Sequence, residues 1–145
     1  MTSIHKSARV PYSAAQMYDL VNDIESYPAF LPWCSEASVQ VHGEDSLTAS
    51  LTMATGRIHQ SFTTENTMQP GRRISVRLVS GPFRHLHGHW RFDPADGGAC
   101  LITLEMDFEF KNKLLKLTLS KLFHHIVDSL VDAFTRRAQQ VYGSA

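Results

Sequence analysis

The sequence predicts an α+β fold in which a curved antiparallel β-sheet wraps around a long C-terminal helix. Three observations carry this expectation. Apolar residues recur with a period of two from residue 35 to 110, broken by turn signals. From Leu115 onward the spacing turns helical, and a helix so written needs a large apolar surface that only the inner face of the sheet supplies. At 145 residues, 43% hydrophobic and 19% charged, the chain suits one domain over residues 1–145.

Taken in order, Ser3 to Val10 reads as a first strand. "SAAQ" at residues 13–16 then matches the S-x-x-Q capping box, with Tyr12 and Met17 placed as a hydrophobic staple across it, so a helix starts here. Ala14, Met17, Tyr18 and Val21 recur at i, i+3, i+4 and i+7, one apolar stripe that ends near "NDIES". Next comes "YPAFLPWC", residues 27–34, an uncharged run between Glu25 and Glu36. Pro32 has no N–H for the carbonyl of Pro28, and its ring clashes with that carbonyl in a continuous helix. The segment therefore holds at most a single turn, opened by Pro28. Such a turn cannot bury Tyr27, Phe30, Leu31 and Trp33 against itself. They form either a structural plug for one end of the core, or an apolar gate over a cavity or a membrane-touching patch.

Leu47, Ala49, Leu51 and Met53 share one parity; Ile58 and Phe62, then Ile74, Val76 and Leu78, then Leu86, Trp90 and Phe92 repeat it on further strands. In "LITLEMDFEF", residues 101–110, Ile102, Leu104, Met106, Phe108 and Phe110 point one way. Thr103, Glu105, Asp107 and Glu109 point the other, as a sheet wet on one face requires. "HGED", "ATGR", "QPGR", "SGP" and "DPADGG" supply the turns of an antiparallel meander. Leu115, Leu119, Leu122, Ile126, Leu130, Phe134, Ala138 and Val141 then form a helical seam, widened by Phe123, Val127 and Val131 and stopped at Gly143. A twisted sheet curled around one helix seldom closes at both ends. The gap can hold a ligand, with "YPAFLPWC" free to cover it.

Composition narrows the function. The opening "MTSIHKSARV" has no apolar run of signal-peptide length, and Lys116, Lys121, Asp128 and Asp132 interrupt the longest helix, so a soluble, cytoplasmic protein is expected. Cys34 and Cys100 form no C-x-x-C pair and are expected as reduced, buried thiols. Net charge is +0, yet Val10 to Gly56 holds six acids and no Lys or Arg, whereas Lys111 to Ala145 holds six basic residues against two acids. These are either solvated faces or a basic end that meets an anionic partner. No G-x-S-x-G, H-E-x-x-H or phosphate-binding glycine loop is present, so a binding role is expected instead of an enzyme, with no cofactor and no DNA partner. His85, His87 and His89 share one side of a strand. Their parity is opposite to Leu86 and Trp90, which puts them on the wet face without an evident carboxylate second shell, and no metal site is expected. Gln60, Thr64 and Asn66 share the face of Ile58 and Phe62. They either offer hydrogen bonds to a ligand's polar head or mark ordinary strand ends.

"VPYSAAQMYDLVNDIESYPAFLPWC", "FTTEN", "GPFRHLHGHWRF", "FEFKNKLL" and "FHHIVDSLVDAFTRRAQQVYG" stand in order over almost the whole chain. Through them the chain resembles the START-like (polyketide cyclase/dehydrase and lipid transport) superfamily and, within it, the coenzyme Q-binding proteins and the ribosome association toxin RatA. The resemblance implies a helix-grip fold that encloses a hydrophobic tunnel. It also implies a non-enzymatic protein that binds ubiquinone or a related polyisoprenoid lipid in support of respiration, in transient contact with a membrane surface and peripheral to the inner membrane. In that reading Tyr27, Phe30, Leu31 and Trp33 form the gate. Phe62, Trp90, Phe108, Leu122 and Phe134 line or back the tunnel, and Gln60, Thr64 and Asn66 are its polar contacts. One alternative is a toxin or regulator that binds the large ribosomal subunit and blocks subunit association, with Lys111, Lys113, Lys116, Lys121, Arg136 and Arg137 on phosphates. Another is a cyclase-like enzyme, which needs an acid or base in the tunnel that the sequence does not show.

Overall fold

The computed structural model describes residues 1–143. β1 (Thr2–Val10) leads into α1 (Ala14–Asn22) and a 3-10 helix (Ile24–Ala29). Then follow β2 (Cys34–Val41), β3 (Ser46–Thr55), β4 (Ile58–Gln69), β5 (Arg73–Ser80), β6 (Phe83–Pro94), β7 (Cys100–Phe110) and α2 (Lys113–Tyr142). The strands make one sheet in the order β1-β7-β6-β5-β4-β3-β2, every pair antiparallel. From β2 to β7 it is the expected meander. β1 joins β7, with Thr2 opposite Phe108 and Val10 opposite Cys100.

Local sequence chemistry sets the element ends. The Ser13 hydroxyl accepts from Gln16 N at 3.1 Å while Gln16 Oε1 accepts from Ser13 N at 2.9 Å, the reciprocal pair that the "SAAQ" pattern implies. α2 is capped by Asn112, whose Oδ1 accepts from Leu115 N at 2.9 Å, and ends at Gly143 with φ 81°. The register slips between Thr63 and Thr64 and between Phe83 and His85, and such bulges bend a sheet. Gly88 pairs with Met106 of β7, and a Cβ there would lie 2.2 Å from the Glu105 carbonyl oxygen, so no other residue fits without spreading the strands.

Every buried residue of α2 belongs to the expected seam or its widening, with the buried face centred toward the widening residues. Leu119, Phe123, Ile126, Val127, Val131, Phe134 and Ala138 are buried, Leu115, Leu122 and Leu130 are half-buried, and Val141 is exposed. Phe123 explains the rotation. Its ring lies 4.7 Å from Phe108 and 4.8 Å from Phe83, and this aromatic cluster on the sheet turns the helix toward phenylalanine instead of Leu122. At its other end α2 is tied to α1: Tyr12 donates to the Gly143 carbonyl at 2.7 Å and Tyr142 to the Gln16 carbonyl at 3.0 Å.

Candidate functional site

The segment after α1 makes two tight turns. The 3-10 helix begins at Ile24, so Pro28 is its fifth residue and does not open it. A 3-10 ladder bonds three residues back, so the N–H that Pro28 lacks deprives only the carbonyl of exposed Glu25. Pro32 then takes the second position of a β-turn closed by Cys34 N to the Leu31 carbonyl at 3.0 Å, where its fixed φ is favoured. The turns direct Tyr27 and Trp33 inward, bury Leu31 at 2% exposure, and leave Phe30 half-buried. The Phe30 ring meets Tyr27 and Phe134 edge-on at 6.1 and 5.4 Å, with the Arg137 guanidinium 4.9 Å from its centre.

Between these turns, the inner face of the sheet and α2 lies a partly enclosed cavity of about 90 Å³. The sheet contributes Phe62, Thr64 and Asn66 from β4, Ile74 and Val76 from β5, Leu86 and Trp90 from β6 and Met106 from β7, with Ala49 and Leu51 from β3. α2 supplies Phe123, Ile126, Val127, Leu130 and Phe134, and Val21, Ile24, Tyr27 and Trp33 close the remaining side.

Of the residues expected from sequence, Tyr27, Trp33, Phe62, Trp90, Phe134, Thr64 and Asn66 converge on this cavity. Phe108 backs the wall behind Phe123. Phe30 and Leu31 do not line it; Leu31 is core and Phe30 caps Tyr27 and Phe134 from outside. Leu122 also fails to reach it, because the rotation of α2 presents Phe123 and Ile126. Gln60 has the inward parity but pairs with Met53 near the β3–β4 hairpin, beyond the lining. Met106 and Val76 follow from strand parity alone. Ile24 lies beyond the stripe that ends at Val21, as the first residue of a 3-10 helix whose pitch differs from that of α1.

No lining residue among those described carries a charge. Tyr27 is ionisable, but burial pushes its phenol far above the usual range, and its hydroxyl donates to the Val21 carbonyl at 2.5 Å. Thr64 Oγ1 donates to Asn66 Oδ1 at 2.9 Å, both residues being 5% exposed. That bond commits the amide oxygen and leaves the Asn66 NH₂ as a donor for a ligand. The cavity can therefore bind by dispersion and water exclusion and orient one acceptor, but it holds no pair suited to proton transfer. Burial also raises the two thiols, Cys34 to about 11, which keeps them protonated and unreactive at neutral pH.

On the outer face the histidine row does have carboxylates beside it, contrary to the sequence expectation: His87 Nε2 lies 3.2 Å from Asp107 and His89 Nε2 3.3 Å from Glu105. Antiparallel register places β7 acids opposite β6 histidines, a pairing that neither strand shows alone. Among the described residues no three such groups converge as a metal site would need. Burial, then Arg73, holds His89 below the usual imidazole range.

Residues 10–135 match the family described as polyketide cyclase / dehydrase and lipid transport. The chain is 46% identical over 142 residues to the ribosome association toxin RatA of Pseudomonas aeruginosa, covering 98% of this chain and 99% of that protein. It is 30% identical over 136 residues to the mitochondrial coenzyme Q-binding protein COQ10 homolog B of Xenopus laevis, covering 91% of this chain and 56% of that protein. Among solved structures, a START superfamily protein from Mycobacterium smegmatis aligns with TM-score 0.80 at 19% identity, over 96% of this chain and 98% of the other. The Zhui aromatase/cyclase from Streptomyces sp. R1128 aligns with TM-score 0.83 at 15% identity, over 99% of both. At such identities the likeness is one of fold. Sequence match and helix-gripping sheet agree, and the chain belongs to the polyketide cyclase / dehydrase and lipid transport family, with the START-like fold.

Proposed function

We propose that the chain is a non-enzymatic binder of a hydrophobic ligand, ubiquinone or a related polyisoprenoid lipid, held between the sheet and α2. The observation that carries this reading is the lining of the cavity: aliphatic and aromatic side chains around a single amide donor, with no charged group among the described residues. A quinone is a flat ring with carbonyl acceptors and an apolar tail. The Asn66 NH₂ suits a carbonyl, the Trp90 and Trp33 rings suit the flat head, and each tail methylene leaving water contributes about 0.8 kcal/mol. The name of the Xenopus relative supports the same ligand class. At about 90 Å³ the cavity is smaller than the roughly 150 Å³ void that houses benzene, so a tailed ligand must widen it. Phe30, which covers the lining residues Tyr27 and Phe134 from outside, is the group that yields. A cyclase role lacks support, because the lining offers no acid–base pair.

Both tryptophans line the cavity, and quinones quench indole emission. Titration with a short-chain ubiquinone is expected to give saturable quenching, and lipid extracts of protein from a quinone-making host are expected to contain ubiquinone. A linear, non-saturating quench together with an empty extract removes the proposal.

A second reading has its own observation: the relative that is 46% identical over nearly its whole length is named a ribosome association toxin. In this reading the chain binds the large ribosomal subunit and blocks subunit association, with lysines of α2 on phosphates, so binding falls steeply with salt. Gradient sedimentation of ribosomal subunits with added protein decides it, and unchanged subunit joining rejects it. A cytoplasmic location belongs to both proposals. No helix among the described residues is long and apolar enough to cross a membrane.

A further inference from the structure

The first turns of α2 present leucines to solvent among lysines. Leu114 and Leu117, 69% and 75% exposed, are the two most exposed large apolar side chains among the described residues. From Lys111 to His125 the chain carries Lys111, Lys113, Lys116 and Lys121, all exposed, and no acidic residue. Lysines at this end gain nothing from the helix, whose dipole favours acids in its first turn, where there are none. The other end of the molecule lacks this basic excess. Tyr12 and Tyr142 fasten α1 to the last turn of α2, and there Asp19, Asp23 and Glu25 of α1 and its following turn stand beside Arg136 and Arg137 of α2. The length of α2 separates the two ends by about 45 Å.

We propose that the first turns of α2 dock on an anionic lipid bilayer, Leu114 and Leu117 entering the interface and the lysines meeting headgroup phosphates. The lysines identify the sign of the partner and the leucines its nature. A nucleic acid rewards the lysines but offers nothing to two exposed leucines, whereas a bilayer interface takes both. The end that carries α1, without such an excess, then points away from the membrane. Leu117 lies six positions, about 9 Å along the helix, from the cavity-lining Phe123, so docking sets the α2 side of the cavity close to the bilayer. The inference stands whatever the cavity binds.

Sedimentation of the full chain with quinone-free vesicles of phosphatidylcholine and phosphatidylglycerol, against phosphatidylcholine alone, tests it. The protein is expected to bind the anionic vesicles and to release as salt rises. Lys113→Gln with Lys116→Gln weakens binding by about 25-fold, at about fivefold per lysine. Leu114→Gln with Leu117→Gln weakens it by about tenfold or more, with circular dichroism unchanged because both sites are exposed and glutamine is a comparable helix former. Equal recovery with neutral vesicles overturns the proposal. So does a leucine pair that changes nothing while the lysine pair abolishes binding, which reassigns the surface to a purely electrostatic partner such as RNA. Vesicle binding without quinone quenching, or the reverse, shows which of the two proposals has failed.

Discussion

Replacing Phe30 by alanine separates a gate from a plug. The half-buried ring has three partners: Tyr27 at 6.1 Å, Phe134 at 5.4 Å and the Arg137 guanidinium at 4.9 Å. Edge-to-face pairs contribute roughly 0.5–1.5 kcal/mol each, and a cation over an exposed ring about 0.5–1 kcal/mol. With one side of the ring in water the lower values apply, and the loss is about 1.5 kcal/mol. In a domain of this size that lowers the melting temperature by roughly 3–6 °C. Leu31→Ala is the control. Leu31 is 2% exposed and does not line the cavity, so its truncation leaves a void that costs about 2–5 kcal/mol without a route to the ligand. The assay pairs thermal unfolding with quinone dissociation, followed through the emission of Trp33 and Trp90. If most of the Phe30 contact energy holds the cavity closed, Phe30→Ala speeds dissociation by about tenfold. Leu31→Ala unfolds earlier but releases ligand at the parental rate. A Phe30→Ala protein that melts early and dissociates normally makes the segment a plug, and the gate reasoning is wrong.

Gly88→Ala places a Cβ 2.2 Å from the Glu105 carbonyl and 3.0 Å from Met106 Cα, both backbone, and is expected to cost about 3 kcal/mol or more in urea unfolding. Gly43→Ala, whose Cβ meets only Asp45 Oδ1 at 3.8 Å, should change little in the same experiment. Asn66→Leu is expected to weaken short-chain quinone binding by about tenfold while sparing a plain alkyl ligand; equal loss for both puts the head elsewhere. Stability should fall as pH rises from about 9 to about 11, because burial raises the Cys34 and Tyr27 protonation ranges in the folded state. The unfolded chain then releases those protons first and is favoured by alkali. Urea midpoints that stay constant across this window contradict burial as the cause.

Features set by a few neighbouring residues are legible in the sequence itself. Ser13 and Gln16 satisfy each other's backbone within one turn, so the start of α1 follows from four letters, and the alternation in β7 needs no partner to show its inward face. Features set by distant partners are not. The rotation of α2 follows from Phe83 and Phe108 gathering around Phe123, which the helix's own leucines do not reveal. The site divides along the same line. Parity delivers Phe62, Thr64, Asn66 and Trp90, whereas Leu122 and Gln60 fall outside because helix phase and position along the strand are tertiary facts. The Arg137 guanidinium over Phe30 joins residues more than a hundred positions apart, and no local pattern announces it.

The pairing of β1 with β7 has a consequence for how the chain is made. Each strand from β2 to β7 finds its neighbour soon after synthesis, but Thr2 must wait for Phe108. Long-range closure of this kind is slow, with folding in roughly milliseconds to seconds for sheets dominated by distant pairings. Until β1 arrives, β7 is an open edge with a nearly continuous apolar face, a ready template for a strand from another chain. The first strand is thus a guard on the last one. A chain lacking residues 1–10 is expected to associate through β7 even where its cavity forms.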